Sequence, residues 1–146
     1  MTVEVDFSKY EYCLHSIISS MAEDKYAPDT IIAFSRGGLV PGVMLSHHFE
    51  CPLIPLTDMG VVPTIVKAKN ILVVDDINDT GSTFLKFHKN VSILNTNDTS
   101  PLHAKFTYCA IVENRSSMFK KVKYYGMEID KSIDQSWVKF FWEGRC

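Results

Sequence analysis

Asp75 and Asp76 stand side by side directly after Ile71-Leu72-Val73-Val74, a run of four apolar residues. Such a run predicts a buried strand, and two adjacent carboxylates are tolerated only where that strand leaves the core. The pair is therefore expected at the carboxyl edge of a sheet, placed to meet a ligand. Asp79-Thr80-Gly81-Ser82-Thr83 follows at once, with Phe84, Leu85, Phe87 and Val91 at helical spacing behind it. A glycine flanked by short hydroxyl side chains at the start of a helix is a phosphate cradle: the helix presents outward-pointing amides, and Thr80, Ser82 and Thr83 can each donate a hydroxyl hydrogen bond. Gly81 is expected to turn the backbone tightly against the oxyanion. A helix cap alone would need only one or two of these residues.

A second candidate loop is Ser35-Arg36-Gly37-Gly38-Leu39-Val40-Pro41-Gly42. Adjacent glycines free the backbone for amide contacts with an anion, Arg36 adds positive charge, and a helix starts just beyond.

Both loops need a scaffold that brings strand ends together. Tyr10, Cys13, Leu14, Ile17, Ile18 and Met21 predict a helix over 7–21, with Ser8 as its cap. Thr30-Ile31-Ile32-Ala33-Phe34 reads as a strand inside a parallel sheet, 39–49 as a helix, and 51–56 as a short strand interrupted by Pro52 and Pro55. Residues 57–68 are expected to form an exposed, mobile loop and 95–101 a polar one. Residues 106–112 predict a central strand, 123–129 an edge segment and 137–142 an aromatic terminal piece. Strands alternating with helices predict an open, mainly parallel α/β sheet with helices on both faces, whose ligands bind beyond the carboxyl ends of the strands.

Composition narrows the function further. With 146 residues the chain has room for one domain, and a net charge of −2 provides no basic field for nucleic acid. No apolar run is long enough to cross a membrane and the first residues are acidic and polar, so a cytoplasmic protein is expected. Cys13, Cys51, Cys109 and Cys146 form no C-x-x-C pair or zinc-ligand spacing and read as reduced thiols. The five histidines, His47-His48 among them, read as helix-surface residues with no metal role. A Walker-type loop is excluded by the absence of G-x-x-x-x-G-K-[ST]. The paired aspartates of a signalling receiver domain lie near the amino terminus, not in mid-chain.

Val73 to Thr83, VVDDINDTGST, resembles the phosphoribosyl-pyrophosphate signature of the type I phosphoribosyltransferases. The Ser35–Gly42 loop is similar to the pyrophosphate loop of their purine-salvage, xanthine-guanine branch, in which a cis peptide is frequent. Trp137-Val138-Lys139-Phe140-Phe141-Trp142-Glu143 resembles that branch's small carboxyl-terminal hood. The resemblance implies that Asp79 to Thr83 bind the 5′-phosphate and that Asp75 and Asp76 face the ribose hydroxyls and a magnesium ion. It implies that Ser35, Arg36, Gly37 and Gly38 hold pyrophosphate, that Asp79 accepts the base's proton, and that Trp137 stacks on a purine whose edge is read by backbone such as that of Val138. Trp142 is expected to pack inside. A homodimer is also implied.

The implied reaction is transfer of a 5-phosphoribosyl group from phosphoribosyl pyrophosphate to a nucleobase, releasing pyrophosphate. Two departures bear on it. Where 6-oxopurine enzymes carry a lysine after the apolar strand, this chain reads Val112-Glu113-Asn114-Arg115, so Glu113 is expected to face the base and turn preference away from 6-oxopurines, unless Arg115 or a one-residue shift restores a donor. Residues 57–67 lack the Ser-Tyr pair of the family's catalytic lid. These departures keep open a second class of function, a non-catalytic module that binds phosphoribosyl pyrophosphate or a nucleotide.

Overall fold

The computed structural model describes residues 2–58, 68–95 and 104–144. Most of the expected lid segment, the polar loop after residue 95 and Cys146 lie outside these residues.

The elements in chain order are β1 (Thr2–Val5), α1 (Phe7–Glu23), β2 (Thr30–Phe34), α2 (Leu39–Phe49), β3 (Leu53–Leu56), β4 (Asn70–Asn78), α3 (Ser82–Asn95), β5 (Lys105–Asn114), β6 (Val122–Ile129) and β7 (Trp137–Phe140). A 3₁₀ turn at Phe141–Glu143 follows. The main sheet has the order β3-β2-β4-β5-β6, and each neighbouring pair runs parallel. Every residue of β2 is buried, as a strand covered by helices on both faces requires. Alternation divides its side chains: Ile31 joins Leu72, Val74 and the α1 residues Tyr10 and Ile17 on one face, while Ile32 joins Val73 and the α3 residues Phe84 and Phe87 on the other. The Asp29 carboxylate accepts from the amides of Lys69 and Asn70 at 2.8 and 3.0 Å, which fixes the start of β4 beside β2.

Four details differ from the sequence expectation. The cap of α1 is Asp6, whose side chain accepts from the Lys9 amide at 2.8 Å, and Ser8 lies within the helix. β3 begins at Leu53, and its Pro55 is tolerated because β3 is an edge strand. β4 does not end at Val74 but runs on to Asn78, because its ladder with β5 extends to Asn78 opposite Glu113. Thr2–Val5, taken as a polar terminus, forms β1 and pairs in parallel with β7 as a separate two-stranded sheet. This small sheet is the hood. Trp142 packs inward beneath it, stacked on Phe140 at 4.5 Å and edge-on to Tyr10 at 5.4 Å.

β5 and β6 are joined without a helix. Residues 115–121 run back along the α3 face, where Phe119 is buried and stacks on Phe84 with ring centroids 5.4 Å apart. No helix among the described residues is long and apolar enough to cross a membrane.

Candidate functional site

β4 delivers Asp75 and Asp76 half-buried to the carboxyl edge of the sheet. The Asp75 carboxylate accepts from the Asp76 amide at 2.9 Å, and Asp76 accepts from the Ile77 amide at 2.8 Å. No ion pair among the described residues compensates either charge. Burial, reinforced by the neighbouring Asp76 carboxylate, pushes the Asp75 carboxyl well above its ordinary range, and burial also raises Asp76. The site thus holds two uncompensated hard oxygen donors, which suits a magnesium ion whose remaining ligands are substrate oxygens and water. Among the described residues no cluster of three or more His, Cys, Asp or Glu could hold a metal without that help.

The loop after β2 meets this pair directly. Gly37 lies so close that an added Cβ would fall 2.0 Å from Asp76 Oδ2. The Ser35–Arg36 peptide is cis, and Arg36 is exposed. The glycines were expected to offer their amides to an anion, but Gly38 spends its amide on the Phe34 carbonyl at 2.9 Å and is wedged against backbone oxygens of Val74 and Phe34. Its role here is to seat the start of α2. Among the described residues the amides of Arg36 and Gly37 meet no backbone acceptor.

The loop after β4 forms a hollow of about 190 Å³ walled by Asp75 to Gly81, Thr83 and Phe84. α3 starts at Ser82, so the early amides of its first turn have no helical acceptor, and Thr83 and Phe84 of that turn wall the hollow. Thr80 and Ser82 hydroxyls are hydrogen-bonded to each other at 3.1 Å. Gly81 adopts φ +91°. The atoms it approaches are those of the β5–β6 connection: an added Cβ would lie 2.5 Å from both the Phe119 amide nitrogen and Ser117 Oγ. Gly81→Ala is therefore expected to unseat that connection as well as distort the cradle. The left-handed backbone alone costs about 1–2 kcal/mol, which with the clash lowers the thermal midpoint by roughly 5 °C or more. An unchanged melting curve would contradict this packing.

Asp79 and Thr80 also wall a second, larger cleft of about 480 Å³, shared with Asn114, Ser116, Met118, Lys131 and Gln135. The two cavities thus adjoin across one short loop. Glu113 stands apart from this cleft. Its Oε1 accepts from Asn78 Nδ2 at 2.7 Å, within a buried group in which Ser117 donates to Asn78 Oδ1 at 3.0 Å. Burial raises the Glu113 carboxyl, and the Asn78 bond opposes that shift. The cleft wall expected at Glu113 is supplied by Asn114, the next residue of β5. Trp137 is 65% exposed at the start of β7, whereas Val138 turns its side chain into the core and pairs with Val3.

Asn78, Asn114, Ser117 and Lys131 were missed by sequence reasoning. Asn114 follows an apolar strand as Asp75 does, a signal that was available. Lys131 sits beside a turn in which Asp130 caps Ser132, and no chemical motif marks it.

Other reactive side chains stay out of the site. His47 and His48 are exposed on α2, as expected. Cys13 and Cys109 are buried free thiols, and burial pushes Cys109 up to about 12, which keeps it protonated and inert.

No protein-family model matches the chain, and no curated protein is similar to it in sequence. Solved structures do match. A xanthine-guanine-hypoxanthine phosphoribosyltransferase of Helicobacter pylori superposes with a TM-score of 0.75 at 19% identity, over 98% of this chain and 92% of the other. A purine phosphoribosyltransferase of Pyrococcus horikoshii gives 0.75 at 25% identity, over 99% and 95%. A Neisseria gonorrhoeae hypothetical protein with bound ppGpp gives 0.72 at 16% identity, over 99% and 90%. The parallel sheet, the two loops at its carboxyl edge and the hood therefore make up the type I phosphoribosyltransferase fold, in the form it takes in purine phosphoribosyltransferases.

Proposed function

We propose that the chain transfers a 5-phosphoribosyl group from phosphoribosyl pyrophosphate to a ring nitrogen of a purine base, releasing pyrophosphate and forming a nucleoside monophosphate. The observation that carries this reading is the adjacency of the two cavities. A hollow of about 190 Å³ at the start of α3, walled in part by the uncompensated Asp75 and Asp76, shares Asp79 and Thr80 with a cleft that can take a base.

In this reading Thr80, Gly81, Ser82 and Thr83 hold the 5′-phosphate. Asp75 and Asp76 face the ribose hydroxyls and hold magnesium, which when bound neutralises the leaving pyrophosphate. The Arg36 side chain and the amides of Arg36 and Gly37 bind that pyrophosphate. As it departs, positive charge grows on the anomeric carbon, and the half-buried carboxylates beside the ribose stabilise it. Asp79 accepts the proton that the base must lose, and the exposed Trp137 ring covers the base.

A second reading is a module of this fold that binds phosphoribosyl pyrophosphate or a nucleotide without turning it over, and the Neisseria structure with bound ppGpp supports nucleotide binding on this fold. One assay separates the two. The protein is incubated with phosphoribosyl pyrophosphate, magnesium and separate purine bases, and pyrophosphate and nucleotide are followed. Stoichiometric formation of both is the expected result. Ligand binding with no turnover supports the second reading, and no binding of phosphoribosyl pyrophosphate overturns both.

A further inference from the structure

Asn78 ends β4 immediately before the Asp79–Thr83 cradle, and it is 1% exposed. Its side chain is taken up by the protein itself. Nδ2 donates to Glu113 Oε1 at 2.7 Å and to the Phe119 carbonyl at 3.0 Å, and Oδ1 accepts from Ser117 Oγ at 3.0 Å. Ser117, equally buried, accepts in turn from the Phe119 amide at 3.2 Å. Asn78 borders the hollow, but with both Nδ2 hydrogens used it has no donor for a ligand. Stability alone does not call for this cluster, because apolar side chains of matching shape would fill the same space at little cost.

The cluster fixes the β5–β6 connection, and that connection grips the cradle by its carbonyls. The Met118 amide, between Ser117 and Phe119, donates to the Thr80 carbonyl at 2.9 Å. One residue earlier in the cradle, the Asp79 carbonyl accepts from Asn114 Nδ2 at 2.7 Å. Both of these cradle peptides are trans, since the one cis peptide among the described residues is Ser35–Arg36. Across a trans peptide the carbonyl and the next amide point opposite ways. The Thr80 and Gly81 amides are therefore turned away from the connection, and neither meets a backbone acceptor among the described residues. Thr80 and Gly81 both wall the hollow. Gly81 also packs directly on Phe119 and Ser117, so the connection cannot shift without moving it.

We propose that Asn78 and Ser117 are positioning residues for the 5′-phosphate: by locking residues 117–119 they pre-set the Thr80 and Gly81 amides as its donors. The proposal rests on the phosphoribosyl-transfer reading and adds how the cradle is held ready before a ligand arrives. Donors already in place lose little freedom when the phosphate binds. The Ser35–Gly38 loop is seated elsewhere, on Phe34, Val74 and Asp76, so the effect belongs to one end of the phosphoribosyl donor.

The test titrates the full chain with ribose 5-phosphate, and with magnesium pyrophosphate as control, in wild type, Asn78→Leu and Ser117→Ala. Each variant is first shown to melt cooperatively above the titration temperature. Ser117→Ala removes a single hydroxyl and keeps the test open if Asn78→Leu does not fold. Each folded variant should bind ribose 5-phosphate about tenfold more weakly, the size of one hydrogen bond to a charged group. Its response to magnesium pyrophosphate should stay within about twofold of wild type. In amide NMR spectra of wild type, the Thr80 and Gly81 signals should move with ribose 5-phosphate. Wild-type affinity for ribose 5-phosphate in a folded variant overturns the proposal, as does equal weakening of both ligands, which a merely structural cluster would give. Thr80 and Gly81 signals that stay still while ribose 5-phosphate binds overturn it too. In these cases wild type still binds a phosphoribosyl compound, and only this proposal falls. If wild type binds neither ribose 5-phosphate nor phosphoribosyl pyrophosphate, the phosphoribosyl reading falls with it.

Discussion

Replacing Asp75 and Asp76 together by asparagine is expected to raise the thermal midpoint of the ligand-free protein at pH 7 while abolishing magnesium-dependent binding of phosphoribosyl pyrophosphate. Asparagine keeps the Oδ1 acceptors that receive the Asp76 and Ile77 amides, so the local backbone keeps its bonds. What disappears is a pair of like charges with no compensating ion pair among the described residues. The folded protein holds both carboxyls above the ordinary 3.8, chiefly through burial. A carboxyl raised in the folded state binds more protons there than in the unfolded chain. Its stabilising contribution is therefore complete below the ordinary carboxylate value and is lost as pH rises through the raised one. The gain in the double variant should accordingly be small near pH 4 and grow toward pH 7. Removing about 1 kcal/mol of strain corresponds to roughly 3 °C in a chain of this size. Differential scanning calorimetry over that pH range, with titration of phosphoribosyl pyrophosphate in magnesium, tests both halves. A lower midpoint at pH 7, or retained binding, would show that the pair serves the fold instead of the ligand.

Gly37→Ala should do the opposite: leave the melting temperature nearly unchanged and damage the site. The added methyl would fall 2.0 Å from Asp76 Oδ2 and 2.4 Å from its Cγ. A carboxylate is the part that can yield, so the fold absorbs the change by rotating Asp76 at the expense of its bond to the Ile77 amide. Moving a reacting-site group by about 1 Å costs on the order of a hundredfold in rate. Turnover should therefore fall by about that factor while the midpoint moves by no more than about 3 °C, which corresponds to roughly 1 kcal/mol. Wild-type turnover in the alanine variant would show that the contact between the two loops has no bearing on chemistry.

What the sequence made legible is explained by what each element depends on. β2 and α2 were bounded correctly at 30–34 and 39–49, since Pro28 and the paired glycines break the pattern locally and a wholly apolar run needs no distant partner to be recognised. The turn from β4 into α3 at Ser82 was legible because all its signals are contiguous. β1 was not: Val3 and Val5 alternate over only four residues, and what makes them a strand is β7 at the other end of the chain. Asn114 was mistaken for its neighbour because one position in a strand exchanges faces, and the sequence placed the end of β5 without fixing which residue faces the cleft. The Asn114–Lys131 contact arises from topology. Setting the ends of β5 and β6 side by side brings together residues that no spacing rule connects.

The hood has a consequence for the order in which the protein opens and closes. β1 and β7 join positions as distant as Thr2 and Trp137, whereas β4 and β5 pair residues about 35 apart. Joining distant segments costs more chain entropy, and the hood holds only four residue pairs against eight in the β4–β5 ladder. Hydrogen exchange should therefore find the amides of β1 and β7 released in a partial opening that leaves β4 and β5 protected. Trp137 belongs to the part that opens, and Asp75 to the part that stays closed. On the proposed reading, the base end of the site comes apart and reforms on a pre-assembled phosphate end, so that a phosphoribosyl donor would find a finished cradle before the chamber for its acceptor exists.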